Sequence, residues 1–393
     1  MDKRLIWLAV GSFTIGTESF VMSSLLPAIS ADARISLPQA GYLITAFALA
    51  YAIGAPVLTT FAGSADRRRV IAVTMALFVA GNLLAAASSS FALLLIARIM
   101  MALAAGLFAA TAQATAVALA GPEHRARAIS IIVGGTTVAV ALGAPLGALI
   151  GAALGWRGTF LSVAALAAVA AVILWIKLPD GLRGTRLALS ARLTAAVQPG
   201  IFPSLVTTFL CMTGAFIVFS YIAPLATEGA GLSAAALPGM LLAFGVGAAA
   251  GNLSSGYLAD RFGAAQTVFV VLGLLAVALA MFSVIPLFVP HPAAGWLLVA
   301  AMIPWGLIGW AFPPAQASHI VGVSPELAPI TLSLNNSALY LGVAFGSFVG
   351  GLVLKYGTVA ELGYAAALFE MLAMFSLVVF QKPAAQAAAR AAA

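Results

Sequence analysis

Twelve long apolar runs, separated by short gaps that hold nearly all of the charge, dominate this chain. They lie at about 5–28, 38–61, 70–88, 91–119, 127–154, 158–177, 200–226, 233–258, 266–288, 294–320, 327–354 and 358–380 of 393 residues. A helix crossing a hydrocarbon core of ~30 Å needs about 20 apolar residues, and each run is near that length. Only 7% of the residues are charged and 63% are hydrophobic, whereas a soluble domain carries roughly a quarter charged residues. The surface must therefore face lipid. Lipid cannot satisfy the edge of an open sheet, and the period-2 alternation of a barrel is absent. The expectation is an all-α membrane protein of twelve transmembrane helices.

The formal charge of +7 reports topology rather than an acidic partner such as nucleic acid. With the N-terminus in the cytoplasm, fourteen basic residues fall on that side: Lys3, Arg4, Arg67, Arg68, Arg69, Arg125, Arg127, Lys177, Arg183, Arg186, Arg192, Arg261, Lys382 and Arg390. Arg34, Arg157 and Lys355 fall outside, and Arg98 lies within a run. This bias is the positive-inside rule, and it puts both termini in the cytoplasm. The first run follows Lys3-Arg4 but is too long for a signal peptide and holds Glu18, so it reads as a retained span. The one substantial hydrophilic stretch divides six spans from six. It sets an N-terminal bundle at 1–178, a linker at 179–199, a C-terminal bundle at 200–382 and an alanine-rich, flexible tail at 383–393. Cys211 is the only cysteine and has no internal disulfide partner.

Two signatures recur at half the chain length. Asp66-Arg67 returns as Asp260-Arg261, an offset of 194, and Gly143, Gly147 and Gly151 return as Gly342, Gly346 and Gly350, an offset of 199. Such duplication in so apolar a chain is the build of many secondary transporters, with two pseudo-symmetric six-helix halves. Each Asp-Arg pair sits in a loop at the cytoplasmic end of two spans. There an acid starting a helix suits the helix dipole and an arginine can reach a neighbouring helix end. Glycines four apart, as around Gly143-Ala144-Pro145-Leu146-Gly147, let another helix backbone approach closely.

These loops resemble the Gly-x-x-x-Asp-Arg signature of the major facilitator superfamily, with Ala62 in place of the leading glycine of the first copy and Gly256 in the second. The resemblance implies that Asp66, Arg67, Asp260 and Arg261 form gating loops. Gly143, Pro145, Gly147 and Gly151 resemble the fifth-span motif of the family's antiporters. Gly16-Thr17-Glu18-Ser19-Phe20, Gly155-Trp156-Arg157 and Tyr221-Ile222-Ala223-Pro224 are similar to the bacterial drug- and metabolite-efflux branch, chloramphenicol-resistance, arabinose-efflux-like and purine-efflux permeases alike.

Three ionisable residues fall inside spans, where each costs a few kcal/mol and marks a functional candidate. A carboxylate at Glu18 in a low-dielectric site can exchange a proton near neutral pH. In similar efflux proteins a first-span acid couples proton to substrate. Arg98 is always charged and needs an anion or carbonyls; Glu18 or polar groups of span one are its expected partners. Glu370, in the last span, is expected to face lipid or pack. Among uncharged polar residues, interhelical bonding is the ordinary role of Asn82, Asn252, Trp310, Gln316 and Asn336. Gln113, Tyr221 and Trp305 are the expected substrate contacts, because spans one, four, seven and ten line the cavity of the family that the chain resembles, and Asn335 of span eleven joins them. His124, His291 and His319 are isolated, so no metal site is expected, and no phosphate-binding loop is present.

The leading expectation is therefore a monomeric secondary transporter of the bacterial inner membrane that exports small amphipathic drugs or metabolites against protons, with no cofactor and no enzymatic chemistry. A proton symporter importing a sugar or other small nutrient is the alternative. Sparse polar lining and the single first-span carboxylate favour export.

Overall fold

The computed structural model describes residues 2–120, 124–184 and 189–391. Arg186 lies outside the described residues, as do the side chains of Arg125, Lys382 and Arg390. The described residues are helical, without strands: α1 (Arg4–Ala33), α2 (Leu37–Ala62), α3 (Arg67–Ala87), α4 (Phe91–Ala120), α5 (Arg125–Val138) and α6 (Ala144–Lys177), then a short α7 (Leu189–Ala196). There follow α8 (Ile201–Phe219), one turn α9 (Ile222–Pro224), α10 (Leu237–Phe262), α11 (Ala264–Phe288), α12 (Ala293–Val323), α13 (Ala328–Tyr356) and α14 (Leu362–Ala391).

Eleven helical segments among the described residues are long and apolar enough to cross a membrane, and the longest, Arg127–Lys177, spans 51 residues. It is two crossings. Gly155 interrupts α6 at φ 76, ψ 164, a conformation that only glycine adopts without penalty. Upstream, α5 passes into α6 through a π-turn at Ala139–Gly143. Pro145 has no N–H for the Ala141 carbonyl, and a widened turn absorbs that missing bond without ending the helix. The first span of the second half breaks for the same reason. Pro224 cannot donate to Ser220, and the chain leaves helical geometry at Tyr221 (φ −118, ψ 26) before a π-turn at Leu225–Gly229. Pro304, Pro313 and Pro314, by contrast, lie inside an unbroken α12.

Capping fixes several starts. Ser36 and Gln39 form a reciprocal capping box at α2, and the Asp66 carboxylate caps α3. The interhalf linker is not featureless. It contains α7, whose Arg192 is buried and donates to the Ser333 hydroxyl at 2.6 Å, while Leu193 is exposed. The tail continues α14 as helix to Ala391.

The chain forms two compact units, Met1–Leu187 with Ser233–Gly245, and Ala188–Leu232 with Val246–Ala393. In the first, α1 packs on α5 and α6, α2 on α4, and α3 on both α4 and α6. In the second, α8 packs on α13 and α14, and α11 on α12 and α14. Large apolar side chains such as Phe61, Leu154, Leu253 and Phe288 are exposed at the surface. That surface suits lipid, not water.

Candidate functional site

Glu18 lies fourteen residues into α1, about 21 Å along a helix of about 45 Å at 1.5 Å per residue. It is thus near the middle of α1, because the helix extends past the expected span to Ala33. Arg98 reaches it from α4, and each residue is 1% exposed. Arg98 Nη1 donates to Glu18 Oε1, and Arg98 Nε donates to the Leu43 carbonyl on α2 at 3.1 Å. The guanidinium also lies 4.3 Å from the Phe47 ring centroid. Glu18 Oε2 is buried and accepts no hydrogen bond among the described residues. Desolvation makes such a pair expensive unless its geometry is complete, and here one carboxylate oxygen is left unsatisfied. A proton arriving at Glu18 would dissolve the ion pair while leaving Arg98 its carbonyl and its aromatic face.

The next face of α1 holds the glycine motif. A Cβ on Gly143 would collide with the Thr17 hydroxyl; on Gly147 it would come within 2.8 Å of Val21, and on Gly151 within 2.7 Å of Leu25. Three glycines spaced by four thus receive three α1 side chains spaced by four, and Thr17 is the immediate neighbour of Glu18. The second unit repeats the arrangement. Gly342 and Gly346 lie against the Phe209 and Thr213 carbonyls of α8, and Gly350 lies against Tyr221 and the Ile217 carbonyl. Each unit therefore packs its first span against its fifth through glycines.

The two Asp-Arg copies differ. Asp66 caps α3, accepting from Arg69 N–H at 3.2 Å and from Gly181 N–H at 2.6 Å. Arg67 N–H donates to the Leu182 carbonyl at 2.9 Å and its guanidinium to the Ala114 carbonyl of α4 at 2.8 Å. Arg68 pairs with Asp180 at 2.6 Å and stacks 4.3 Å from the Trp175 ring. Burial acts to raise the Asp66 carboxyl, but the Gly181, Arg69 and Arg68 amides and the Arg69 charge outweigh it and hold it below its usual value. The first copy is thus bonded to α4 and to the chain leaving α6. Asp260 and Arg261 instead belong to the last turn of α10, because the chain turns only at Gly263 (φ 86). Asp260 therefore ends one helix and does not start the next, contrary to the sequence expectation. Both residues are exposed, and Arg261 Nη1 donates to the Tyr257 hydroxyl at 2.6 Å.

Of the expected substrate contacts, Gln113 is half-buried on α4. Tyr221 is fully buried and donates to the Ser347 carbonyl at 3.0 Å. Trp305 is 2% exposed and meets Phe282 and Phe219 at ring distances of 4.9 and 6.1 Å. Asn335 accepts from the Thr208 hydroxyl at 2.6 Å, and Gln316 donates to that hydroxyl at 3.0 Å and to the Ser204 carbonyl at 2.8 Å. The last three form a buried polar network joining α8, α12 and α13. Its Thr208 and Ser204 carry no mark in the sequence beyond their spacing of four. Glu370, expected to face lipid or to pack, packs: it is fully buried and turned toward Cys211 and Gly214 of α8. Small residues on α8 make the room.

Residues 8–347 match the Major Facilitator Superfamily. The MFS-type transporter YbcL of Bacillus subtilis is 32% identical over 385 residues, covering 98% of this chain and 97% of YbcL. A chloramphenicol resistance protein of Streptomyces lividans is 31% identical over 388 residues, 97% of this chain and 96% of that one. Among solved structures, the nucleoside transporter NupG superposes with a TM-score of 0.74 at 14% identity, covering 96% of this chain and 100% of NupG. The chain belongs to the major facilitator superfamily. It is a multi-pass membrane transporter of small molecules, not an enzyme.

Proposed function

We propose that the protein exports small, uncharged amphipathic compounds from the bacterial cytoplasm in exchange for protons, by alternating access, as a monomer of the inner membrane with both termini cytoplasmic. The observation that carries this reading is the buried Glu18–Arg98 pair, with its unsatisfied carboxylate oxygen. Protonation of Glu18 and retention of the ion pair are mutually exclusive, so proton entry is linked to the arrangement of α1, α2 and α4. With Arg98 already balancing Glu18, no net negative charge remains at the pair to favour a cationic cargo. The similarity to a chloramphenicol resistance protein supports phenicols as the first compounds to try. Gln113, Tyr221, Trp305 and Asn335 are the proposed cargo contacts. Asp66-Arg67 and Asp260-Arg261 are the proposed gates.

The test is transport by purified protein in liposomes under an imposed pH gradient, screening phenicols, sugars and purines. Cargo should drive proton movement in the opposite direction, and Glu18→Gln should abolish it. Proton flux in the same direction as the cargo would instead establish a symporter.

A further inference from the structure

Glu370 is the second of two buried carboxyl groups among the described residues, and it differs from Glu18 in one decisive respect: no cation faces it. Both of its carboxyl oxygens are buried and lack a nitrogen or oxygen hydrogen-bond partner among the described residues, leaving the Cys211 thiol as the donor in reach. The group points at α8, where a Cβ on Gly214 would come within 2.8 Å of its Oε1, and its titratable neighbour there is the Cys211 thiol. Apart from Cys211, α8 carries no titratable residue along its whole length, and α11, the other helix packed closely on α14, carries none. On α13, Lys355 is exposed in the last turn, with Tyr356 beside it and Tyr340 further along the helix. Tyr364 lies on α14 itself, and Glu361 is exposed before its start. One to two turns away, α8 and α14 meet through two neutral hydroxyls, Thr207 and Ser376, at 3.5 Å.

Depth removes the remaining escape. Glu370 is eight residues into α14 and Cys211 ten residues into α8, about 12 and 15 Å from those helix ends at 1.5 Å per residue. In a core of ~30 Å the carboxyl cannot snorkel to water. A thiol is too weak a donor to stabilise a bare carboxylate, and an unpaired charge at this depth is disfavoured by several kcal/mol. We infer that Glu370 is a second proton-binding site, occupied in this conformation, in which α14 and α8 seal a neutral carboxylic acid at mid-membrane. Glu18 has Arg98 as a cationic partner, whereas Glu370 has none among the described residues. The inference does not depend on the direction or the cargo proposed above.

Infrared spectroscopy of the protein in lipid at neutral pH tests it without transport. A carbonyl stretch of a protonated acid in apolar surroundings should be present, be lost in Glu370→Gln, and survive in Glu18→Gln and Cys211→Ala. Gln is isosteric with the neutral acid, so this variant should fold. Should it not, isotopically labelled glutamate in otherwise unmutated protein and in Glu18→Gln should shift the same band in both. Absence of the band from the wild type, or its persistence in Glu370→Gln, would overturn the assignment.

Discussion

Glu18 and Arg98 are unequal partners, because a carboxylate can take up a proton and a guanidinium cannot give one away. Removing Arg98 leaves an acid that neutralises itself. Removing Glu18 leaves a fixed charge with the Leu43 carbonyl and the Phe47 ring as its remaining support. Glu18→Leu should therefore cost about 3–5 kcal/mol, the usual penalty for orphaning one member of a buried pair. Adding Arg98→Met should recover most of that loss, since apolar replacement of both members is commonly near neutral. Thermal denaturation of the purified variants measures it, and simple additivity of the two changes would count against the pairing. The pair was legible in the sequence for the same reason that it is costly. An arginine inside an apolar run must find an anion or carbonyls, and Glu18 is the only acid in the first span. Leu43 and Phe47 were not legible, because a backbone carbonyl and a phenyl ring look the same in the sequence wherever they point.

At the scale of helices, glycine acts in two different ways. Gly346 is helical and sits against the Thr213 carbonyl, so it is required by what occupies the space. Gly155 has open space around it but a φ of 76, so it is required by its backbone. Gly346→Val should then cost about 1–3 kcal/mol or more through overpacking of α13 on α8. Gly155→Ala should cost about 1–3 kcal/mol, the strain of holding a Cβ at φ 76, ψ 164, where glycine alone sits without strain. Melting temperatures of alanine and valine variants at Gly346 test the contact mechanism: the loss should grow with side-chain size, and an alanine variant no better than the valine one would contradict overpacking. The fourfold glycine spacing announced the α5–α6 and α13 contacts, since it needs only one helix to be read. The π-turns did not announce themselves, because they depend on how a neighbour compensates a proline's missing N–H, and α12 carries three prolines with no break at all. Whether Glu370 faces lipid or packs was not legible for a related reason. The facing of an almost wholly apolar helix is set by its partner, here the small residues Cys211 and Gly214.

For the molecule as a whole, the positive-inside bias predicts an orientation that labelling can test directly. Cys211 is the sole cysteine and is fully buried, so a membrane-impermeant maleimide should leave the parent protein unmodified. That makes it a ready background for single cysteines. Arg69 is exposed in the first turn of α3, beside the Asp66 cap, and Lys355 is exposed in the last turn of α13. Neither makes an ion pair with an acidic side chain among the described residues, so each can be replaced with little expected effect on the fold. In intact cells Lys355→Cys should react with the impermeant reagent and Arg69→Cys should not; in inverted vesicles the pattern should reverse. The physical basis is the cost of carrying basic loops outward across the membrane. Arg67, Arg68 and Arg69 crowd the α2–α3 loop, whereas Lys355 stands almost alone at the opposite ends of the spans. Labelling of Arg69→Cys from outside intact cells would invert the topology, and with it the direction of the proposed proton-coupled export.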